Sequence, residues 1–330
     1  MNDRTTQPPS SPVLDFDPED GITILAPSQP GEGNWIGCPS VLHEPESGRF
    51  LLTYRERRPR GQGADRGWRC ALASSTDGHT FEDIWSVEKG ELGTASMERF
   101  ALAHAPGGGY LLYVSYVDPA DKRWRIDVVE ADRPELLDIT RARPVLTAAT
   151  TGTEGVKDPV PVSVDGQLWL YVSYAAANSF TPEDSERAHA LGDIYVTGAT
   201  IFPTGLATSG DGLTFDWHPD VLPVGSGWDR YQTRLTTVAE SAGGYVGVYD
   251  GSSGAHENYE ERAGLAWSPN LKDWTSRTSD GPALVSPHGT GSLRYLDLVP
   301  VGDDWFAYYE YTRADGAHEL RLNRVPRRSA

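Results

Sequence analysis

The chain has 330 residues, with 47 Asp and Glu against 29 Lys and Arg and a formal charge of −18. So acidic a chain repels phosphate backbones and anionic bilayers, which sets nucleic acid and membrane surfaces aside as partners. Two cysteines, Cys38 and Cys70, cannot build a disulfide framework or a four-cysteine zinc site, and no metal motif appears. No apolar run nears the roughly 20 residues that span a bilayer, and the polar start carries no signal core, so the expectation is a cytoplasmic chain without metal or cofactor.

In chain order, residues 1–14 read as a disordered tail and 15–330 as a single domain. An apolar strand follows at 22–27. Five units of one form come next, each a short apolar strand, a Gly-centred turn and an aromatic-rich strand. They pair 38–42 with 50–54, 99–103 with 110–116, 158–162 with 168–174, 234–238 with 245–249, and 294–298 with 305–309. A third strand follows each hairpin, at 70–78, 126–130, 205–212, 264–269 and 319–322. A fourth is expected near 84–87, at 143–146, at 219–222 and at 282–285. The units recur about every 60 residues, with a longer step between Asp158 and Arg234 that places a polar loop at 175–198.

Four antiparallel strands in each of five units predict an all-β, five-bladed β-propeller. The fifth unit stops after its third strand, and 22–27 supplies the missing fourth, so the N-terminal strand is expected to close the ring. Alternating strands also suit a β-sandwich, which leaves five aligned units unexplained.

In a propeller the first strand of each blade lines the axis. Cys38, Arg99, Asp158, Arg234 and Arg294 then open the axial strands, and the second strands return to the same end at Arg55, Glu56, Asp118, Tyr174, Asp250 and Glu310. The segment 156–160, which carries Lys157, Asp158 and Pro159, resembles the middle-blade motif of five-bladed propeller glycosidases of the arabinanase, xylosidase and invertase type. The resemblance runs over roughly residues 20–326. It implies that Asp158 holds a sugar hydroxyl and tunes a catalytic acid. The first-blade Asp-Pro of that group is replaced here by Cys38 and Pro39.

Asp158, Glu310 and Glu98 are therefore the candidate catalytic residues, since glycoside hydrolysis uses paired carboxyls. Arg99, Arg234 and Arg294 form a candidate anion-recognising ring, because guanidinium forks bind carboxylate or phosphate. Cys38, Asp250, Glu257 and Trp35 complete the candidate substrate site; Trp35, Trp228 and Tyr231 are placed to stack on sugar faces, and His256 and Tyr259 lie in the same polar loop as Glu257. The expected partner is a small carbohydrate or polar metabolite, of neutral or anionic character. The expected activity is that of a glycoside hydrolase; the alternative is a propeller that binds or transforms a polar metabolite without hydrolysis.

Overall fold

The computed structural model describes residues 14–61, 65–177, 180–241 and 243–327. The expected tail lies outside them except for Leu14, which is half-buried against the core. Strand β1 (Ile22–Leu25) comes first. The first unit is β2 (Trp35–Glu44), β3 (Arg49–Arg58), β4 (Arg66–Ser75) and β5 (Glu82–Glu88). The second is β6 (Ala101–His104), β7 (Tyr110–Val117), β8 (Trp124–Ala131) and β9 (Arg143–Leu146). The third is β10 (Gly155–Val164), β11 (Gln167–Ala175), β12 (Thr204–Ser209) and β13 (Asp216–Leu222). The fourth is β14 (Gln232–Ser241), β15 (Gly244–Ser252), β16 (Arg262–Ser268) and β17 (Thr275–Ser276), and the fifth is β18 (Leu293–Val301), β19 (Asp304–Thr312) and β20 (His318–Pro326).

Each unit is an antiparallel sheet in chain order, and β1 pairs antiparallel with β20, Ile22 opposite Leu322 and Leu25 opposite Leu320. One parallel bridge, Trp35 to His318, joins the fifth unit to the first. Second strands are apolar on both faces because each sheet is covered on both sides. In β7, seven of the eight residues are buried.

The core is divided among the gaps between sheets. Leu51 and Leu72 meet Leu112 and Val129; Tyr113 and Val128 meet Leu170 and Val172. Tyr171 and Leu206 meet Leu235 and Tyr249; Val246 and Val248 meet Leu296 and Tyr309. Phe306 and Tyr308 then meet Phe50 and Leu52, which brings the fifth unit against the first. Tyrosines tie rims to neighbours as well. Tyr308 donates to the Gly78 carbonyl at 2.6 Å, Tyr113 to that of Gly212 at 2.8 Å and Tyr171 to that of Leu271 at 2.7 Å.

Two local expectations need correction. The outer strand of the fourth unit is Thr275–Ser276, while 282–285 contributes a single bridge, Leu284 to Ala263. The insertion after β11 contains a helix, Pro182–His189. Thr181 caps it by accepting from the Asp184 amide, Pro182 opens it, Glu183 and Asp184 fill the first turn, and Arg187 and His189 fill the last. All of these favour a helix terminus of the matching polarity. Among the described residues no helix is long and apolar enough to cross a membrane.

Candidate functional site

The axial strands carry an irregularity at one register. Pairing skips between Gly37 and Ser40, between Lys157 and Val160, and between Arg294 and Asp297. Inside these bulges Cys38, Asp158 and Tyr295 take the left-handed conformation, with φ of 55°, 60° and 52°. Such φ values are uncommon outside glycine, more so for Tyr than for Asp, and cost energy that the surrounding structure must supply. A bulge re-aims side chains, and these three turn toward the axis.

There the described residues form a closed circuit of alternating charge, drawn from all five units. Arg55 of β3 contacts Glu98, and Lys157 lies 3.7 Å from Glu98 and 3.6 Å from Asp158. Arg234 donates to Asp158 at 2.8 Å and reaches Glu261 at 3.7 Å. Arg294 contacts Glu261 at 2.8 Å and Glu310 at 2.7 Å, and Glu310 returns to Arg55 at 3.5 Å. Asp250 is a spur on Arg234 at 2.6 Å. Every member is buried. The Tyr295 hydroxyl stands between Glu98 and Asp158, at 3.2 and 3.4 Å, with Arg234 against its ring. Gly37 is a steric requirement of the circuit, because a Cβ there collides with the Glu310 carboxylate.

Buried charges are costly unless paired and hydrogen-bonded, and the pairing fixes their protonation. Burial alone raises the Glu310 carboxyl, but Arg294, the His318 ring and Arg55 outweigh it and hold it well below its ordinary value. Glu261 falls to about 2 as Arg234 and Arg294 outweigh its burial. Asp158 is likewise lowered, its burial offset by Lys157 and Arg234. Asp250 goes the other way. Burial, against the pull of Arg234 and with the push of Glu261, lifts it to about 6.

The sequence-predicted residues divide accordingly. Asp158, Glu310, Glu98, Arg234, Arg294 and Asp250 come together. Arg99 does not join them. It occupies the register of Cys38 and Asp158, whereas Arg234 and Arg294 occupy that of Lys157, opposite Asp250, Glu310 and Ser173 of the second strands. Arg99 also lacks the left-handed turn. Its guanidinium donates to the Thr236 carbonyl at 2.7 Å and lies 3.6 Å from Asp297. Arg99 and Asp297 line a separate cavity of about 360 Å³ between the later parts of the axial strands, beside Val41, Leu102, Val160 and Leu298. The expected three-arginine anion site therefore does not form: Arg234 and Arg294 are filled by protein carboxylates, and Arg99 is elsewhere.

Glu257 is also apart, half-buried in its loop, where it accepts from the Ser253 amide at 2.6 Å and pairs with Arg262 at 3.1 Å. Trp35 is buried, stacked on His318 at 4.2 Å with Arg57 over its ring at 4.3 Å. Tyr231 donates to the Tyr195 carbonyl and Trp228 to that of Thr278, so both pack within the protein. Lys157, Glu261 and Tyr295 belong to the circuit and were not singled out by sequence; the one available signal was Lys157 beside Asp158 in the quoted motif.

Cys38 sits with its thiol 3.5 Å from Glu98 and its amide donating to Glu310 at 3.0 Å. Burial, only partly opposed by Arg55, pushes the thiol up to about 12. A thiol this far from thiolate is a poor nucleophile. Native protein at pH 8 is therefore expected to leave Cys38 unmodified by iodoacetamide over hours, while protein in urea is labelled at both cysteines. Mass-spectrometric labelling of Cys38 in the folded chain within minutes contradicts this.

No protein-family model and no curated protein matches the sequence. Solved structures do match in fold. A GH43_1 enzyme from Xanthomonas citri superposes with a TM-score of 0.60 at 15% identity, over 92% of this chain and 90% of that one. The β-1,2-mannobiose phosphorylase of Listeria innocua, solved with β-1,2-mannobiose, gives a TM-score of 0.60 at 15% identity over 97% of this chain and 96% of that one. A glycosyl hydrolase from Bacteroides ovatus gives 0.60 at 16% identity over 91% and 86%. The chain has the propeller fold of these glycosidases and phosphorylases, at a sequence distance where the likeness speaks for architecture alone.

Proposed function

We propose that this chain is a five-bladed propeller, closed by β1, that acts on a carbohydrate or glycosylated metabolite at the axial end where the charge circuit lies, without two-carboxylate hydrolysis. The ring is supported by the apolar contacts that run from each unit to the next and from the fifth back to the first. The carbohydrate is supported by the company the fold keeps: neighbouring structures hold xylose, xylotriose and β-1,2-mannobiose.

One observation carries the chemistry. Glu98, Asp158 and Glu310 are each in contact with two cations. A general acid must hold its proton near neutral pH, which requires a raised carboxyl. Asp158 and Glu310 are lowered instead. Asp250 is raised, but its oxygens are taken by Arg234 and the Tyr295 amide. Cys38 stands where the family's first-blade carboxylate would.

The hydrolase reading keeps one specific support: Glu98 and Asp158 share the Tyr295 hydroxyl, so two carboxyls do stand close together. A panel of nitrophenyl glycosides separates the readings. Calorimetric sugar binding without release of nitrophenol supports the proposal; turnover that disappears in Asp158→Asn establishes hydrolysis. In either case Asp158→Asn, which preserves shape and removes charge, is expected to weaken sugar binding or turnover at least tenfold with the near-UV circular dichroism retained. Unchanged binding in that variant moves the site away from the circuit.

A further inference from the structure

Just outside the circuit, Arg57 of β3 differs from every arginine in it. It is buried, at 8% exposure, and makes no ion pair or hydrogen bond to a described residue through its guanidinium. It is held between two rings instead, 4.3 Å from the Trp35 centroid and 4.0 Å from that of Tyr259. Burial pulls its pKa down to about 10, with Tyr259 and Asp193 opposing and Arg55 and Arg294 adding to the fall. A buried cation without a counter-ion is costly, and an aromatic sandwich offsets only part of that cost.

The neighbourhood holds surplus positive charge in a chain whose net charge is −18. Arg60 lies 2.9 Å and Arg66 3.4 Å from Asp193, and Asp193 also accepts from the Tyr259 hydroxyl. One carboxylate thus serves Arg60 and Arg66, and Arg57 has no direct ion pair with a described residue. Arg60 is the more open, with a side chain 42% exposed. Beside Tyr259 in sequence, Asn258 carries a buried amide with no hydrogen-bond partner at either atom among the described residues. Tyr259 itself is held at φ 77°, a strained value for an aromatic residue. The elements that meet here are β3, the loop before β16, and the insertion that carries Asp193, each from a different unit.

We propose that Arg57, with Arg60 at its outer side, receives an oxyanion group, a carboxylate or phosphate, on the ligand that the axial site binds. The inference rests on the carbohydrate reading above for the rest of that ligand. Arg57 is fixed by its two rings before binding, so its planar fork meets a carboxylate or phosphate with little ordering cost. Neither Arg234 nor Arg294 is available for this role, because both are already filled.

The test uses the full chain and three probes by calorimetry: inorganic phosphate, D-glucuronate and D-glucose. Wild type is expected to bind glucuronate at least tenfold more tightly than glucose and to bind phosphate alone measurably. Preference for phosphate over glucuronate identifies a phosphoryl group as the natural anion, and the reverse identifies a carboxylate. Arg57→Gln is expected to lose roughly tenfold to a hundredfold for both anions. Arg57→Lys keeps the charge but not the fork and is expected to recover only part. Arg58→Gln, which lies over Trp68, removes one charge from the same strand and is expected to leave anion binding within twofold. Phosphate binding that depends on Arg57, with neither sugar bound, upholds the anion site and defeats the carbohydrate reading. Equal affinity for glucose and glucuronate upholds the carbohydrate and overturns the anion site. Anion binding unaltered in a folded Arg57→Gln overturns it as well.

Discussion

Removing residues 1–28 is expected to lower the melting temperature by about 10 °C or more, and removing 1–12 to change it by no more than about 2 °C. The difference lies in what 14–27 holds. Ile24 and Leu25 pack on the cluster between the fifth and first units, and Leu14 and Phe16 pack on the cluster between the fourth and fifth. Phe16 lies 5.8 Å from the Tyr309 ring, and the Pro18 carbonyl accepts from the Tyr309 hydroxyl at 2.8 Å and from Arg321 at 3.1 Å. Four half-buried apolar side chains contribute roughly 1 kcal/mol each, and stranded polar partners add a similar amount between them. At about 2–4 °C per kcal/mol for a large domain, the sum gives the stated fall. The cut also leaves β20 as a bare edge, so light scattering is expected to rise with the longer deletion. Equal melting temperatures for the two truncations refute a closing role for β1.

The second large effect belongs to Arg234. Its loss is expected to cost about 3–5 kcal/mol, the usual range when one partner of a buried ion pair is removed. Arg234→Ala leaves Asp158, Asp250 and Glu261 facing one another without the cation they share. Denaturant unfolding should show the full loss near pH 7 and a smaller one near pH 5, where Asp250, lifted to about 6 even with Arg234 present, takes up a proton and relieves repulsion. Arg187→Ala provides the contrast. Its partner is Asp184 on the same exposed helix, and its side chain is 76% exposed, so the change is expected to stay within about 0.5 kcal/mol. A cost for Arg234→Ala as small as that for Arg187→Ala removes the circuit from the list of what holds the axis together.

Much of the fold was legible because its signals are local and repeated. The aromatic second strands, buried on both faces, announce themselves as runs such as 110–116 and 168–174. The same repetition picked out Glu98, Asp158, Asp250 and Glu310 at the ends of their strands, and these four carboxylates lie together in the structure. What it did not resolve is the phase. Arg99 was aligned with Arg234 and Arg294, yet it belongs one residue later in register, because a bulge adds a residue to a strand and leaves no mark in composition. Glu261 was hidden for another reason: it stands in a polar stretch that reads as a solvated turn, and it becomes a buried ligand of two arginines only through pairing across units. Tyr295 falls inside the strand expected at 294–298, and its left-handed backbone, which turns the hydroxyl toward Glu98 and Asp158, is imposed by tertiary context. The helix over Pro182–His189 was within reach, since Thr181, Pro182 and the acidic first turn are start signals in sequence.

The axial circuit bears on how the five repeats find their places. Their rims are nearly interchangeable, with similar strands, turns and tyrosines, and a chain of like modules risks docking out of sequence. At the axis they are not alike. The first unit brings Arg55, the second Glu98, the third Lys157 with Asp158, the fourth Arg234 with Asp250, and the fifth Arg294 with Glu310. Exchange the second and third, and cation meets cation where carboxylate should be. The buried charges therefore act as an address written once on each module: a permuted array carries the same total charge but sets like charges side by side, and the native order pairs each cation with carboxylates.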